Sequence, residues 1–377
     1  MTSSRRIDAR PSSARRLIAT VSVIAAASIG TLESAGPAAA ASPAPPEFYG
    51  VATATALTPK DFQRLARANI RTVRIIMYRP AIENRAGQYY WKNFDSAVIN
   101  ATQAGVTLLP TVIGSRGGDP FRPPLYSEAE RAGWQRFVRA AVDRYGAGGT
   151  LWQEVKECLP DRWCRPGLAY RPIRVWQLWS EPNLRYFWRP FPSPKEYAAV
   201  LQLGGDAVHA ADPGAEVVIG GLMPGRGPNS IRQRDFLTQL YQTPGIKESF
   251  DGVAIQPFSR KPRSIRRRVK KIRRTTQAFG DGAVPLWITE FGWSNKGPKD
   301  HYLVTNRKGQ AKRLKRTYKI LARMRERYGI RAATWFTFRD GWSASYCEWC
   351  RGAGLLKKNR KPKKAWKKLA KLAGGKP

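Results

Sequence analysis

The chain has 377 residues, 42% of them hydrophobic, enough to bury one large α/β core or two ordinary ones. Against 27 Asp and Glu it carries 66 Lys and Arg, a formal charge of +39; such a field keeps a chain dispersed and gathers polyanions without selecting among them. Only His209 and His301 are present in the whole sequence, so a histidine-built metal centre is not expected.

Residues 1–41 read as an export signal. Arg5, Arg6, Arg10, Arg15 and Arg16 form a positive head, an apolar run follows from Leu17 to about Leu32, and Ala38 to Ala41 offer a cleavage site. The run is shorter than the roughly 20 apolar residues of a membrane span, and no later segment is long enough, so a secreted protein without a transmembrane segment is expected. That leader holds five Arg and two acids, which leaves +36 on the remainder. A Pro-rich linker, residues 42–46, comes next.

From residue 47 onward, short apolar runs alternate with amphipathic stretches. The runs at 48–52, 70–77, 106–113, 173–180, 215–222, 251–257, 285–291 and 331–338 lack a two-residue alternation, as parallel strands buried on both faces do. Thr58-Pro59-Lys60-Asp61 and Ser193-Pro194-Lys195-Glu196 each place an N-cap, a proline and an acid in helix-starting order. Residues 128–145, 264–279 and 309–328 carry apolar residues on one helical face. In residues 362–372, Ala365, Trp366, Leu369 and Leu372 mark a closing helix beneath a basic outer side. Eight β-then-α units in one series predict an α/β fold, a (β/α)8 TIM barrel over residues 47–377.

In such a barrel the C-terminal strand ends form the active face. The fourth strand candidate ends Trp179-Ser180-Glu181-Pro182-Asn183, and the seventh reads Trp287-Ile288-Thr289-Glu290-Phe291-Gly292-Trp293. Each has a single acid where the apolar run stops, and a carboxylate there is costly to desolvate unless it is paired or used.

These two segments resemble the W-N-E-P-N and T-E-x-G-W motifs of clan A glycoside hydrolases. Gly354-Leu355 and the run Lys361 to Trp366 are similar to that clan's ending, so the resemblance spans nearly the whole mature chain. It implies a retaining O-glycosyl hydrolase of β-linked poly- or oligosaccharides that needs no cofactor, with Glu181 as general acid/base and Glu290 as nucleophile. Retaining enzymes hold the two carboxyls about 5–5.5 Å apart. The expected sugar-binding set is Arg74, Ser180, Asn183, Gln256, Trp293 and Trp335, with Arg74 orienting the nucleophile and Trp335 flooring the cleavage subsite. Trp188 and Trp342 are further stacking candidates.

The chain departs from the clan at Ser180, where the clan has Asn, and at Gln256 and Phe258, where it often has His and Tyr. Either the subsite is reshaped, or the barrel binds carbohydrate or anionic cell-wall polymers with turnover lost. Four cysteines allow three pairings or a zinc site. Cys158 and Cys164 precede the fourth strand and Cys347 and Cys350 follow the eighth, so cross-pairing would span opposite barrel ends, far beyond the ~7 Å Cα limit; two local disulfides are expected. The basic helices, Ser264 to Arg274 above all, fit a solvated outer face or association with acidic polysaccharide better than nucleic-acid binding.

Overall fold

The computed structural model describes residues 44–158, 164–342 and 344–377; the expected export signal and the first two residues of the linker lie outside them. The first half of the described chain runs β1 (Tyr49–Ala52), α1 (Pro59–Arg67), β2 (Thr72–Tyr78), α2 (Arg79–Ile82), α3 (Lys92–Gln103), β3 (Thr107–Ile113), α4 (Glu128–Tyr145), α5 (Thr150–Glu157) and β4 (Val175–Ser180). The second half runs α6 (Pro194–Ala211), β5 (Glu216–Gly221), α7 (Gln233–Tyr241), β6 (Val253–Ile255), α8 (Pro262–Ala278), β7 (Leu286–Phe291), α9 (Arg307–Met324), β8 (Ile330–Phe336) and α10 (Lys364–Ala373). All eight expected strands are present and parallel. They form one sheet in the order β5-β4-β3-β2-β1-β8-β7-β6. Its two edges meet through the isolated bridges Val218↔Gly252 and Leu222↔Ile255, with Gln256 N donating to Leu222 O at 2.9 Å. The fold is a (β/α)8 barrel.

Local chemistry explains the helix starts. Thr58 Oγ1 accepts from Asp61 N at 3.3 Å while Asp61 Oδ2 accepts from Thr58 N at 3.0 Å, a reciprocal capping box. Ser127 and Ser193 cap α4 and α6 one way only, each hydroxyl accepting from the backbone N–H three residues on, Glu130 and Glu196, at 3.2 Å. Helices α3 and α7 begin at Trp91 and Arg232 without a side-chain cap, so the sequence marks them less clearly.

The barrel interior is layered. Its lower part is apolar, with Leu109, Val218, Ala254, Trp287 and Ala332 packed together. Above them lies a polar layer that includes Arg74, Thr111 and Gln177. Outside the strands, Trp134, Trp176, Tyr197 and Tyr318 are fully buried beneath the helices. Tyr318 Oη donates to Gly50 O at 2.8 Å and lies 3.1 Å from Ala333 O, which ties α9 to β1 and β8.

Cys158 is bonded to Cys164 and Cys347 to Cys350, with Cα separations of 4.2 and 5.4 Å. The first pair lies between α5 and β4, at the strands' N-terminal end, and the second follows β8 at the opposite end, as expected. Among the described residues, no helix is long and apolar enough to cross a membrane.

Candidate active site

Glu181 follows directly on β4, and the backbone there is unusual. Trp179 and Glu181 have φ of 72° and 50°, a left-handed conformation that costs a non-glycine residue on the order of 1–3 kcal/mol. The surroundings over-determine it. Trp179 is wholly buried, edge-on to Trp134 and Trp188 at 5.9 and 5.3 Å, and its Nε1 donates to Phe187 O at 2.7 Å. Asn183 Nδ2 donates to Met223 O and Ile231 O at 2.9 and 2.8 Å, and its Oδ1 accepts from Met223 N at 3.0 Å. The turn is thus clamped from both sides, and Glu181 is held at the barrel mouth.

Glu290 lies near the end of β7, in a stretch where the pairing with β8 shifts register between Ile288 and Phe291. Two residues on, a β-carbon at Gly292 would collide with the Phe336 carbonyl, so the close approach of β7 to β8 requires glycine there. Gly221 on β5 has the same reason: a β-carbon would lie 2.6 Å from Thr289 Oγ1 and 2.8 Å from Gln256 Cγ.

Arg74 connects these pieces. From β2 its guanidinium donates to Glu290 Oε1 at 2.5 Å, to Gln177 Oε1 at 2.7 Å and to Ser180 Oγ at 2.9 Å. Gln177 is itself fixed by Thr111 Oγ1 at 2.8 Å and by donation to Ile219 O at 3.0 Å. Gln256 Nε2 lies 3.4 Å from Ser180 Oγ, whereas Gln256 Oε1 and Thr289 Oγ1 are buried without a hydrogen-bond partner. The Glu181 backbone carbonyl accepts from Leu184 N at 3.0 Å, but its carboxyl accepts no hydrogen bond from the described residues.

Burial, and then the charge of Glu290, drive the Glu181 carboxyl well above the usual carboxylate range, with Arg74 opposing. Burial pushes Glu290 up to about 7, again against Arg74. The ordering follows from contact: Glu290 shares a salt bridge with the guanidinium and Glu181 does not, so Glu290 ionises first. A site with one protonated and one ionised carboxyl results, the pattern that separates acid from base.

Aromatic rings form the rim. Tyr186 and Tyr346 meet with ring centroids 3.9 Å apart, and Trp342 lies 6.2 Å from Tyr346 and 5.9 Å from Phe336. The Tyr346 phenol is pushed up to about 12 by burial and then by Glu181, Tyr186 and Glu290. Tyr302 is likewise raised by burial and by Glu181, while Arg226 and Arg268 oppose. Both phenols therefore sense the acids. The Cys347–Cys350 bond pins the chain immediately after Tyr346. Beside Tyr186 opens a depression of about 700 Å³, whose lining includes Arg122, Arg185, Arg189 and Arg226, with Asp119 its single acid.

The structure brings together Glu181, Glu290, Arg74, Ser180 and Gln256, and keeps other expected residues apart. Trp335 is fully buried on the outer side of β8, against Phe291 and Trp293 at 5.6 and 6.1 Å, with its Nε1 donating to Ala353 O. Successive strand residues point to opposite faces, so it is Phe336 that faces the mouth, among Phe258, Trp342 and Trp349. Trp293 is also fully buried, under the Arg313 guanidinium, and Trp188 donates to Glu196 inside the helical layer. Asn183 is spent on its loop clamp. Residues not anticipated are Gln177, Thr111, Tyr186, Tyr302 and Tyr346. Gln177 had a visible signal, as the one amide in the buried run Val175 to Trp179.

No family model matches the chain, and no curated protein matches it by sequence. Solved structures match its fold. A family 39 glycoside hydrolase from Bacteroides cellulosilyticus WH2 aligns at TM-score 0.65 and 20% identity over 87% of this chain and 63% of that one. A glucosidase from Croceicoccus marinus aligns at 0.63 and 14%, over 87% of this chain and 67% of that one. A monomeric β-xylosidase from Caulobacter crescentus CB15 aligns at 0.56 and 17%, over 88% and 68%. The chain spans about two thirds of the length of these proteins, or somewhat less. The likeness establishes the barrel that it shares with these glycosidases.

Proposed function

We propose that the protein is a retaining O-glycosyl hydrolase that cleaves a β-linked poly- or oligosaccharide by double displacement. The observation that carries this reading is the pairing of Glu181 and Glu290 at the ends of β4 and β7, each in the other's field, with Arg74 bonded to Glu290 and to the residue before Glu181. Fold likeness to a glucosidase and a β-xylosidase supports the substrate class.

In the first step the Glu290 carboxylate attacks the anomeric carbon while the Glu181 carboxyl gives its proton to the departing glycosidic oxygen. A glycosyl ester on Glu290 and a free alcohol result. In the second, Glu181, now ionised, takes a proton from water, whose oxygen attacks the anomeric carbon and releases Glu290. Arg74 keeps the nucleophile aimed and helps it to be the group that ionises. Tyr186, Tyr346 and Trp342 offer ring faces for sugars, and the arginines beside Tyr186 suit a chain carrying acidic groups. The two disulfides suit an exported enzyme.

The test is covalent capture. A panel of activated 2-deoxy-2-fluoro β-glycosides (gluco-, xylo- and manno-configured) is expected to give one adduct per chain, on the peptide holding Glu290. A second reading, a carbohydrate-binding barrel without turnover, draws on Ser180, whose hydroxyl already faces Arg74 and Gln256. Binding without any adduct would favour that reading; an adduct on another residue would overturn the assignment of Glu290.

The pH profile follows from the same two groups. Glu290 must be ionised and Glu181 protonated, so kcat/KM should rise with pH through about 7 and fall again as Glu181 loses its proton. Initial rates on an activated aryl glycoside would check this; an acid limb near the ordinary carboxylate value would contradict the burial argument.

A further inference from the structure

A second feature lies away from the mouth. Helices α8 and α9 pack side by side, and each carries eight Lys and Arg and no Asp or Glu. A furrow of about 790 Å³ opens along them, lined by eight exposed cations and Ile320. Arg263, Arg266 and Arg267 come from α8, the other five from α9. No ion pair among the described residues involves them. On α9, Lys312 and Arg316, Lys315 and Lys319, and Lys319 and Arg323 are like-charged neighbours at i, i+4, and on α8 Arg263 and Arg267 repeat the arrangement, so the groove is repulsive to itself when empty.

Packed helices lie about 8–10 Å apart, so the furrow admits a single extended chain and not a duplex. Its lining has no aromatic ring on which a base would stack, the usual means of holding single-stranded nucleic acid. One isoleucine gives no apolar face to enter a bilayer. What remains is closely spaced negative charge on a single chain that is held through its carboxylates and needs no aromatic platform, and five of the eight cations are Arg, which can grip carboxylates in bidentate fashion.

We infer that the α8/α9 furrow is a binding site, separate from the barrel mouth, for a single chain of an acidic polysaccharide. The site stands whether or not the barrel hydrolyses glycosides.

The probe is polygalacturonate, with dextran as its neutral counterpart and single- and double-stranded DNA as the competing polyanions. Binding is measured by calorimetry over a series of salt concentrations, in the Glu181→Gln chain, which keeps the Arg74–Glu290 pair while slowing any consumption of the probe. Two triple variants are compared: Arg266→Glu/Arg316→Glu/Lys319→Glu in the furrow, and Lys60→Glu/Lys92→Glu/Lys195→Glu, exposed residues elsewhere. Both change the net charge equally. The furrow variant is expected to lose roughly tenfold or more in affinity and about three from the slope of log K against log salt, while the other changes little. Equal losses in both would show a bulk charge effect and overturn the site. Binding of duplex DNA as tight as that of polygalacturonate would overturn the ligand class.

Discussion

Replacement of Glu290 by Gln is expected to lower glycoside turnover by about 10⁴-fold or more, with substrate binding much less affected. The substitution removes the only atom group in the site positioned by Arg74 to attack the anomeric carbon, and water cannot take its place on the same trajectory. It also leaves Arg74 buried without its counter-charge, which destabilises the fold by several kcal/mol. Rate and thermal stability must therefore be read together. Glu290→Asp separates the two effects: it keeps the charge but draws the carboxylate back, so stability should largely return while the rate stays low. Single-turnover rates on an activated aryl glycoside, with melting curves alongside, are the measurement. Residual activity within tenfold of the parent in either folded variant would remove Glu290 from the mechanism.

Glu181→Gln should do two opposite things. Its rate should fall by about 10²–10⁴-fold, most for poor leaving groups, because the proton donor is gone. Its stability should rise, by an amount that depends on pH. The folded-state affinity of Glu181 for its proton is raised, so the folded chain holds a proton that the unfolded chain releases above about pH 4.3. Below that pH the two proteins should melt alike. Above it the parent loses about 1.4 kcal/mol of stability per pH unit relative to the variant, until the folded carboxyl itself ionises. Paired melting curves from pH 4 to 8 would show it. A gap that is constant, or that closes as pH rises, would mean that the carboxyl is not held in a desolvated, repelled state.

The strands were legible because buried parallel strands are continuous apolar runs, and a lone acid at the end of such a run is conspicuous. Glu181 and Glu290 stood out for that reason, as did Arg74 within Val73 to Ile76. Trp335 was misjudged through parity. Ala332 belongs to the lower interior layer, so Thr334 and Phe336 share its inward face and Trp335 lies outward. Asn183 lay within a recognisable motif, but its task of joining two loops depends on Met223 and Ile231, 40 and 48 residues away. Tyr186, Tyr302 and Tyr346 come from three separate loops, and no local pattern announces that Tyr186 meets Tyr346 or that Tyr302 and Tyr346 both lie in the field of Glu181.

The join between β5 and β6, described above as two isolated bridges, has a bearing on the chemistry. Two arcs of wall separate β4 from β7. One runs through β3, β2, β1 and β8; the other runs through β5 and β6, whose join carries Ile219 N donating to Gly252 O at 3.0 Å and Leu222 N to Ala254 O at 3.1 Å beside the two bridges. The wall is therefore bonded on both flanks, and Arg74 spans its interior from β2 to Glu290 on β7 and Ser180 on β4. A sugar ring passing through a distorted geometry thus meets two acids whose spacing is held by a closed wall and an internal strut.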